Sequence, residues 1–218
     1  MRKISEHKHA AILDAAYEVF GAEGFHEAKI SQVAELAGIA KGTVYLYFSS
    51  KEELFMAVTR RDCDEFLNGL RDRLDGLRDL SGCLSLIAGH HLMYYYERKR
   101  HTKLFFRTSG SSPELIAYMA SFIKDYMEVV MEVLMQAGTA EPQLMAQAFI
   151  GSLDRLKMDI LLEPSFTEED VVKRAEFAAG LFLRGAGCGT GMSSGEAKDG
   201  AGQGHESSIY GTEGEKSS

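Results

Sequence analysis

Residues 41 to 51 read KGTVYLYFSSK, which gathers two lysines, a threonine and two tyrosines into eleven positions. Ammonium and hydroxyl groups are hydrogen-bond donors, and the ammonium groups are cationic besides. The chemistry on offer is therefore recognition of an anionic or acceptor-rich partner rather than bond making. Elsewhere the chain has no paired carboxylates, nucleophile elbow, metal-ligand cluster or phosphate loop, so no catalytic residue, metal site or cofactor is expected. Its three cysteines, Cys63, Cys83 and Cys188, are scattered without C-x-x-C spacing and suit neither a disulfide framework nor a zinc site.

The donors need an element to present them. In KISQVAELAGIAKGTVYLYF the spacing predicts two short helices, about 30 to 37 and 41 to 47, joined by a turn too tight for anything but a helix-turn-helix. Val33, Leu36, Val44 and Phe48 are expected to form its small core, Ala34 to let the helices cross closely, and Gly38 to supply the turn conformation. The second helix of such a unit enters the DNA major groove by its N-terminal residues. Lys41, Gly42 and Thr43 are then nearest the bases. Tyr45 and Tyr47 splay to different sides, each hydroxyl within reach of phosphate, and Lys51 adds charge at the next helix start. The competing reading, an aromatic core helix, leaves this spacing unexplained.

An earlier helix carries Ile12, Ala16, Val19 and Phe20 on one face and closes at Gly21 and Gly24. A later one is expected to open at Ser49 or Ser50, with Glu52 and Glu53 in its first turn, and to run toward residue 75. From residue 10 to 58 the chain resembles the TetR/AcrR family of one-component bacterial regulators, carried by "GF" and VAELAGIAKGTVYLYFSSKEEL. The resemblance implies a homodimer that binds a palindromic operator and is released by a small ligand, most simply a repressor. It extends the DNA-contacting set to Lys29, Ser31 and Gln32. Two positions depart from the family pattern: Lys29 stands where a threonine often caps, and Ala40 where a serine does. Each departure removes a side-chain acceptor worth about 1 kcal/mol.

The remaining periodicity is helical to about residue 184, giving an all-α fold of about nine helices with only three prolines, of which Pro113 and Pro142 sit in first turns. The expected organisation is a DNA-binding domain at 1–50, a larger ligand-binding and dimerisation domain at 51–185, and a Gly/Ser-rich tail at 186–218 too poor in large apolar residues to order itself. The net charge is -8, but residues 1 to 60 hold seven Lys/Arg against eight Asp/Glu while the rest holds 17 against 24. The N-terminal quarter is thus the least acidic part. No apolar leader and no run near ~18 apolar residues is present, so a cytoplasmic protein without a membrane partner is expected.

The stretch HHLMYYYERKRHTKLFFR, residues 90 to 107, can supply a ligand pocket from His90, Tyr94, Arg98, Phe105, Phe106 and Arg107; the alternative is ordinary core plus a solvated basic helix end. Adjacent His90 and His91 diverge by about 100° on a helix and do not jointly hold a metal. YLYF together with QAFIGSLDRLKMDILL resembles the branch of the family that controls fatty-acid degradation. That resemblance implies an acyl-CoA inducer, with Met119 and Phe122 on a helix lining an acyl tunnel and the basic residues meeting phosphates. The last two helices, about 141 to 162 and 167 to 184, are expected to build the homodimer through Phe149, Leu153, Leu156, Ile160, Phe177 and Leu181. A helical enzyme, or a ligand- or protein-binding module without DNA, is the alternative function.

Overall fold

The computed structural model describes residues 2–99, 102 and 113–187. Among them the chain forms eight α-helices and no strand: α1 (Arg2–Glu23), α2 (Ile30–Leu36), α3 (Lys41–Tyr47), α4 (Lys51–Leu74), α5 (Leu80–Glu97), α6 (Pro113–Gln136), α7 (Pro142–Leu162) and α8 (Glu168–Gly187). Phe105, Phe106, Arg107 and the 188–218 part of the expected tail lie outside the described residues.

The helix ends follow from local chemistry. Gly24 takes φ 85°, a left-handed conformation that costs a glycine little, and its N–H closes on the Phe20 carbonyl at 2.9 Å to stop α1. Gly38, at φ 67°, turns the chain between α2 and α3, and the Ile39 N–H then reaches back to the Ala34 carbonyl at 3.0 Å. Ser50 caps α4 by accepting from the Glu53 N–H at 3.0 Å, while the Glu53 carboxylate accepts from the Ser49 N–H at 2.6 Å. These bonds hold the Glu53 carboxyl below its ordinary range. Thr167 and Asp170 exchange equivalent bonds at the start of α8. Pro142 opens α7, where its missing N–H would have had no helical partner.

Two cores result. The N-terminal one packs Ile12, Ala16, Val19 and Phe20 of α1 against Val33, Ala34, Val44 and Phe48, and takes in Leu54 and Val58 from the first turns of α4. The larger core joins Phe66 and Leu70 of α4 to Ile87 and Leu92 of α5, Val130 and Leu134 of α6, and buried positions of α7 and α8. α4 therefore contributes to both, changing from one to the other between Val58 and Cys63.

Two expectations about packing need correction. Leu36 is 58% exposed and is not part of the small core, because α2 turns Ile30, Val33 and Ala34 inward and leaves Leu36 on its other face. Phe149, Leu153 and Ile160 are fully buried inside their own protomer, with the Phe149 ring edge-on to Phe182 at 4.9 Å, and cannot form a surface between two chains. Periodicity identified an apolar stripe on α7 without telling which neighbour it faces, and the stripe faces inward. Leu156 is half-buried against the same core. Only Phe177 and Leu181 of the six stand out in the open, at 60% and 49% exposure, joined on the surface by Leu144, Met158 and Leu162 of α7.

Candidate functional site

The first site is the outer face of the helix-turn-helix. α3 is anchored inward by Val44 and by Phe48 just past its end, and this fixes which residues look out. Lys41 and Gly42 are exposed, Thr43 is half-buried and Tyr45 is 47% exposed. Lys41 and Tyr45 lie one turn apart with the ammonium 6.0 Å from the ring centroid, so both belong to one face. Tyr47 leans the other way, toward α1, with its ring centroid 6.1 Å from that of His9. Ala40 caps α3 by its backbone alone, its carbonyl accepting from the Thr43 N–H at 2.8 Å.

On α2, Ser31 is exposed beside exposed Lys29. Lys29 makes no side-chain cap, as its chemistry requires. Gln32 supplies half of a capping box instead: its Oε1 accepts from the Lys29 N–H at 2.8 Å, and its Nε2 donates to Glu23 at 2.7 Å. The Gln32 amide is thus engaged at both ends inside the protein.

Lys51 also departs from expectation. Its ammonium donates to the His26 and Ala28 carbonyls at 3.0 and 3.1 Å and lies 4.7 Å from the Phe25 ring centroid. It closes the turn after α1 rather than facing outward, because those carbonyls follow a helix end and need donors. One outward residue escaped the sequence reading: Leu46, 84% exposed in the last turn of α3. Its place between inward Val44 and inward Phe48 was the available signal.

The second site is a cavity of about 280 Å³. Its walls come from α1 (Tyr17, Phe20), the first half of α4 (Phe55, Thr59, Asp62), α5 (His91, Tyr94), α6 (Met119, Phe122, Tyr126) and α7 (Asp154, Lys157). It therefore touches the N-terminal unit as well as the larger helical unit. Tyr94, Met119 and Phe122, three of the expected ligand-binding residues, line this cavity. His90 is not: it turns toward α4, where its Nε2–H donates to the Phe66 carbonyl at 2.9 Å and its Nδ1 lies 3.4 Å from the Arg73 guanidinium. The adjacent His91 faces the cavity instead.

Arg98 is likewise occupied. It stacks 3.9 Å from the Tyr94 ring centroid and pairs with Asp62 at 3.3 Å and Glu65 at 3.6 Å, tying the end of α5 to α4. The Tyr94 hydroxyl reaches Asp62 as well, at 2.8 Å from its carboxylate. Burial pushes the Tyr17 phenol and the Cys63 thiol each up to about 12, so neither is a nucleophile at neutral pH. Among the described residues no group of three or more His, Cys, Asp or Glu side chains could hold a metal ion.

At the α7 side of the cavity lies a small polar cluster in which His91 and Lys157 are buried and Asp154 is half-exposed. Lys157 pairs with Asp154 and lies 4.4 Å from the Tyr95 ring centroid. His91 receives the Tyr126 hydroxyl at Nδ1, 3.1 Å away. Burial, followed by the Lys157 charge, holds the His91 imidazolium well below the usual histidine range, so the ring is neutral. Sequence reasoning had no means of finding this cluster, since its members are drawn from three helices.

Residues 12–58 match the family described as bacterial regulatory proteins, tetR family. The fatty acid metabolism regulator protein of Bacillus subtilis (strain 168) is 31% identical over 84 residues, which is 38% of this chain and 43% of that one. The chain thus spans less than half the length of that curated relative. Two solved structures share the fold over more of the chain. A transcriptional regulator from Rhodococcus sp. Rha1 has a TM-score of 0.71 at 24% identity, over 82% of this chain and 97% of the other. The regulator FadR from Bacillus subtilis, in complex with stearoyl-CoA, has a TM-score of 0.68 at 24% identity, over 81% and 98%. The described residues thus combine a helix-turn-helix that has an outward donor row with a larger helical unit and a cavity. The match places residues 12–58 among the bacterial regulatory proteins of the tetR family, and the solved structures extend the likeness of fold, not of role, to the helices that follow.

Proposed function

We propose that this chain is a transcriptional regulator that binds a palindromic operator as a homodimer and is released from it by a small ligand, acting as a repressor. The observation that carries the reading is the single cavity wall shared by Tyr17 and Phe20 of α1, Phe55 and Asp62 of α4 and the helices behind them. A molecule lodged there touches the helix that backs the DNA-reading unit and the helix that links it to the rest. DNA contact is assigned to Lys41, Gly42, Thr43 and Tyr45, with Lys29, Ser31 and Tyr47 at the flanks.

The units proposed are residues 1–50 for DNA and 51–185 for ligand and dimer. The dimer surface is assigned to the exposed apolar residues Phe177 and Leu181 of α8 with Met158 and Leu162 of α7. The inducer is assigned to the acyl compounds, acyl-CoA among them. The stearoyl-CoA held by the similar FadR fold supports this, as do the apolar walls around Met119 and Phe122. The test is fluorescence anisotropy on DNA from the chain's own promoter region, titrated across salt. A specific fragment bound with a steep salt dependence, and released by acyl ligand, is expected; binding no tighter than to random duplex overturns the reading.

A further inference from the structure

We propose that the cavity takes an uncharged, largely apolar group carrying one carbonyl-type oxygen, either a whole neutral molecule or the acyl part of a larger one, and that His91 Nε2–H donates to that oxygen. This deepens the function proposed above and rests on the cavity being its ligand site.

His91 is 2% exposed and lines the cavity, yet its Nε2 has no hydrogen-bond partner among the described residues. The nearest charged oxygen, Asp154 Oδ1, is 3.6 Å away, beyond hydrogen-bonding distance. A buried polar nitrogen left this way is costly, and a ligand atom that meets it recovers that cost.

The tautomer follows from the other nitrogen. Tyr126, whose burial keeps its phenol protonated, has one proton to donate, and the partner in place is His91 Nδ1 at 3.1 Å. If Nδ1 carried the ring proton, the tyrosine proton would lose this acceptor and the Nε2 lone pair would stay unmet. With the tyrosine donating to Nδ1, the only unmet group is Nε2–H, a donor. The molecule that completes the site supplies an acceptor.

Charge then separates acceptors. Around Nε2 stand one cation, Lys157, one carboxylate, Asp154, already paired to it, and a neutral imidazole. These sum to zero. A carboxylate ligand would bring a buried charge with no counter-ion of its own, held close to Asp154, whereas an ester, thioester or ketone oxygen brings none. The volume of about 280 Å³ falls just below the roughly 300–1,000 Å³ range of ligand pockets, so a short or medium carbon body fits the space.

Calorimetry on the full chain near pH 8 with methyl octanoate, sodium octanoate and octanoyl-CoA tests this. The ester is expected to bind at least about tenfold more tightly than octanoate. His91→Leu, checked for folding by circular dichroism, should lose about tenfold for the ester, and His91→Gln, which keeps a donor, should retain most of it. Octanoyl-CoA binding like the ester makes a carrier thioester the source of the carbonyl; ester binding without it makes the source a free neutral molecule. Octanoate binding as tightly as the ester overturns the proposal, as does ester binding that His91→Leu leaves unchanged. Nitrogen NMR of the wild type gives a readout free of folding artefacts. A protonated Nε2 resonance that moves on adding methyl octanoate is expected, and one that does not move overturns the assignment. No operator enters these measurements, so a failure of DNA release leaves them intact, and their failure leaves DNA binding intact.

Discussion

Lys41 and Lys51 have the same charge and stand on the same motif, and the structure gives them opposite duties. Lys41 is exposed beside Tyr45, while the Lys51 ammonium is held by two backbone carbonyls. Lys41→Ala is therefore expected to weaken operator binding and reduce the salt slope by about 1, and Tyr45→Phe to remove one hydrogen bond while leaving sequence preference in place. Lys51→Met should instead lower stability by about 1–2 kcal/mol in urea titration and leave the salt slope unchanged. A flattened slope for Lys51→Met in the anisotropy titration would return that residue to the DNA face.

The outward positions of α3 were legible because inward Val44 and Phe48 fix a helix's rotation. The fate of a long polar side chain was not, since Lys51 and Gln32 each found partners supplied by a turn and a helix end elsewhere in the fold.

Histidine supplies a pH prediction at the same scale. Burial holds both His90 and His91 below the ordinary histidine value. Arg73 and Arg98 add to this for His90, while His91 faces Asp154 and Lys157 of α7 and Tyr126 of α6. A depressed histidine is protonated in the unfolded chain before the folded one, so the unfolded state binds more protons below about pH 6.5. Stability is full above that value and declines as pH falls through it toward the folded values, with a slope of up to about 1.4 kcal/mol per pH unit for each histidine. The lowered carboxyls of Glu53, Glu163 and Asp170 act only in the more acid range, where their unfolded partners titrate. Urea unfolding at about pH 7 and about pH 5.5 should show the loss, and His90→Gln should reduce it; a midpoint that rises on acidification contradicts it.

At the scale of elements, the boundaries of α2, α3 and α4 could be read from capping and turn residues, because Gly38 and Ser50 act locally and their effects do not depend on distant packing. The proposed dimer face could not. α7 and α8 each carry more apolar surface than one side needs, and only the protomer's own packing decides which part remains. With Phe149, Leu153 and Ile160 inside, the exposed remainder is Leu144, Met158 and Leu162 on one face of α7 and Val172, Phe177 and Leu181 on α8. Leaving such residues in water is costly, at about 25 cal/mol for each Å² of apolar surface, which favours a second copy as cover. Phe177→Glu with Leu181→Glu is expected to convert a dimer to a monomer in light scattering at micromolar concentration while preserving helicity, because neither side chain belongs to the core. An unchanged dimer would place the interface on another face.

At the scale of the whole molecule, the question is how a ligand in the cavity reaches the DNA. A ligand shifts an equilibrium only by the difference in its affinity for two conformations, so the cavity must differ between the DNA-competent and DNA-incompetent forms. α4 is placed to make that difference. Leu54 and Val58 are built into the N-terminal core, Phe66 and Leu70 into the larger one, and the cavity wall runs between them through Thr59 and Asp62. Polar ties fix the same stretch on both sides: Arg61 to Asp14 of α1 at 2.6 Å, and Asp62 to Tyr94 and Arg98 at the end of α5. A molecule that pushes α4 away from α5 therefore carries α1 with it through Arg61 and Asp14, and the recognition helix follows because α1 and α3 share a core. In a dimer this changes the separation of the two α3 helices, which must be roughly 34–36 Å to enter successive major grooves on one side of B-DNA. Spin labels at Thr43 of both subunits are expected to report one narrow distance near that value with operator and a displaced one with inducer, while the dimer persists. Asp14→Asn, which weakens the tie between α1 and α4, should leave ligand affinity near wild type and reduce the displacement. Inducer that releases DNA without altering the inter-label distance would mean that the signal does not travel through α4.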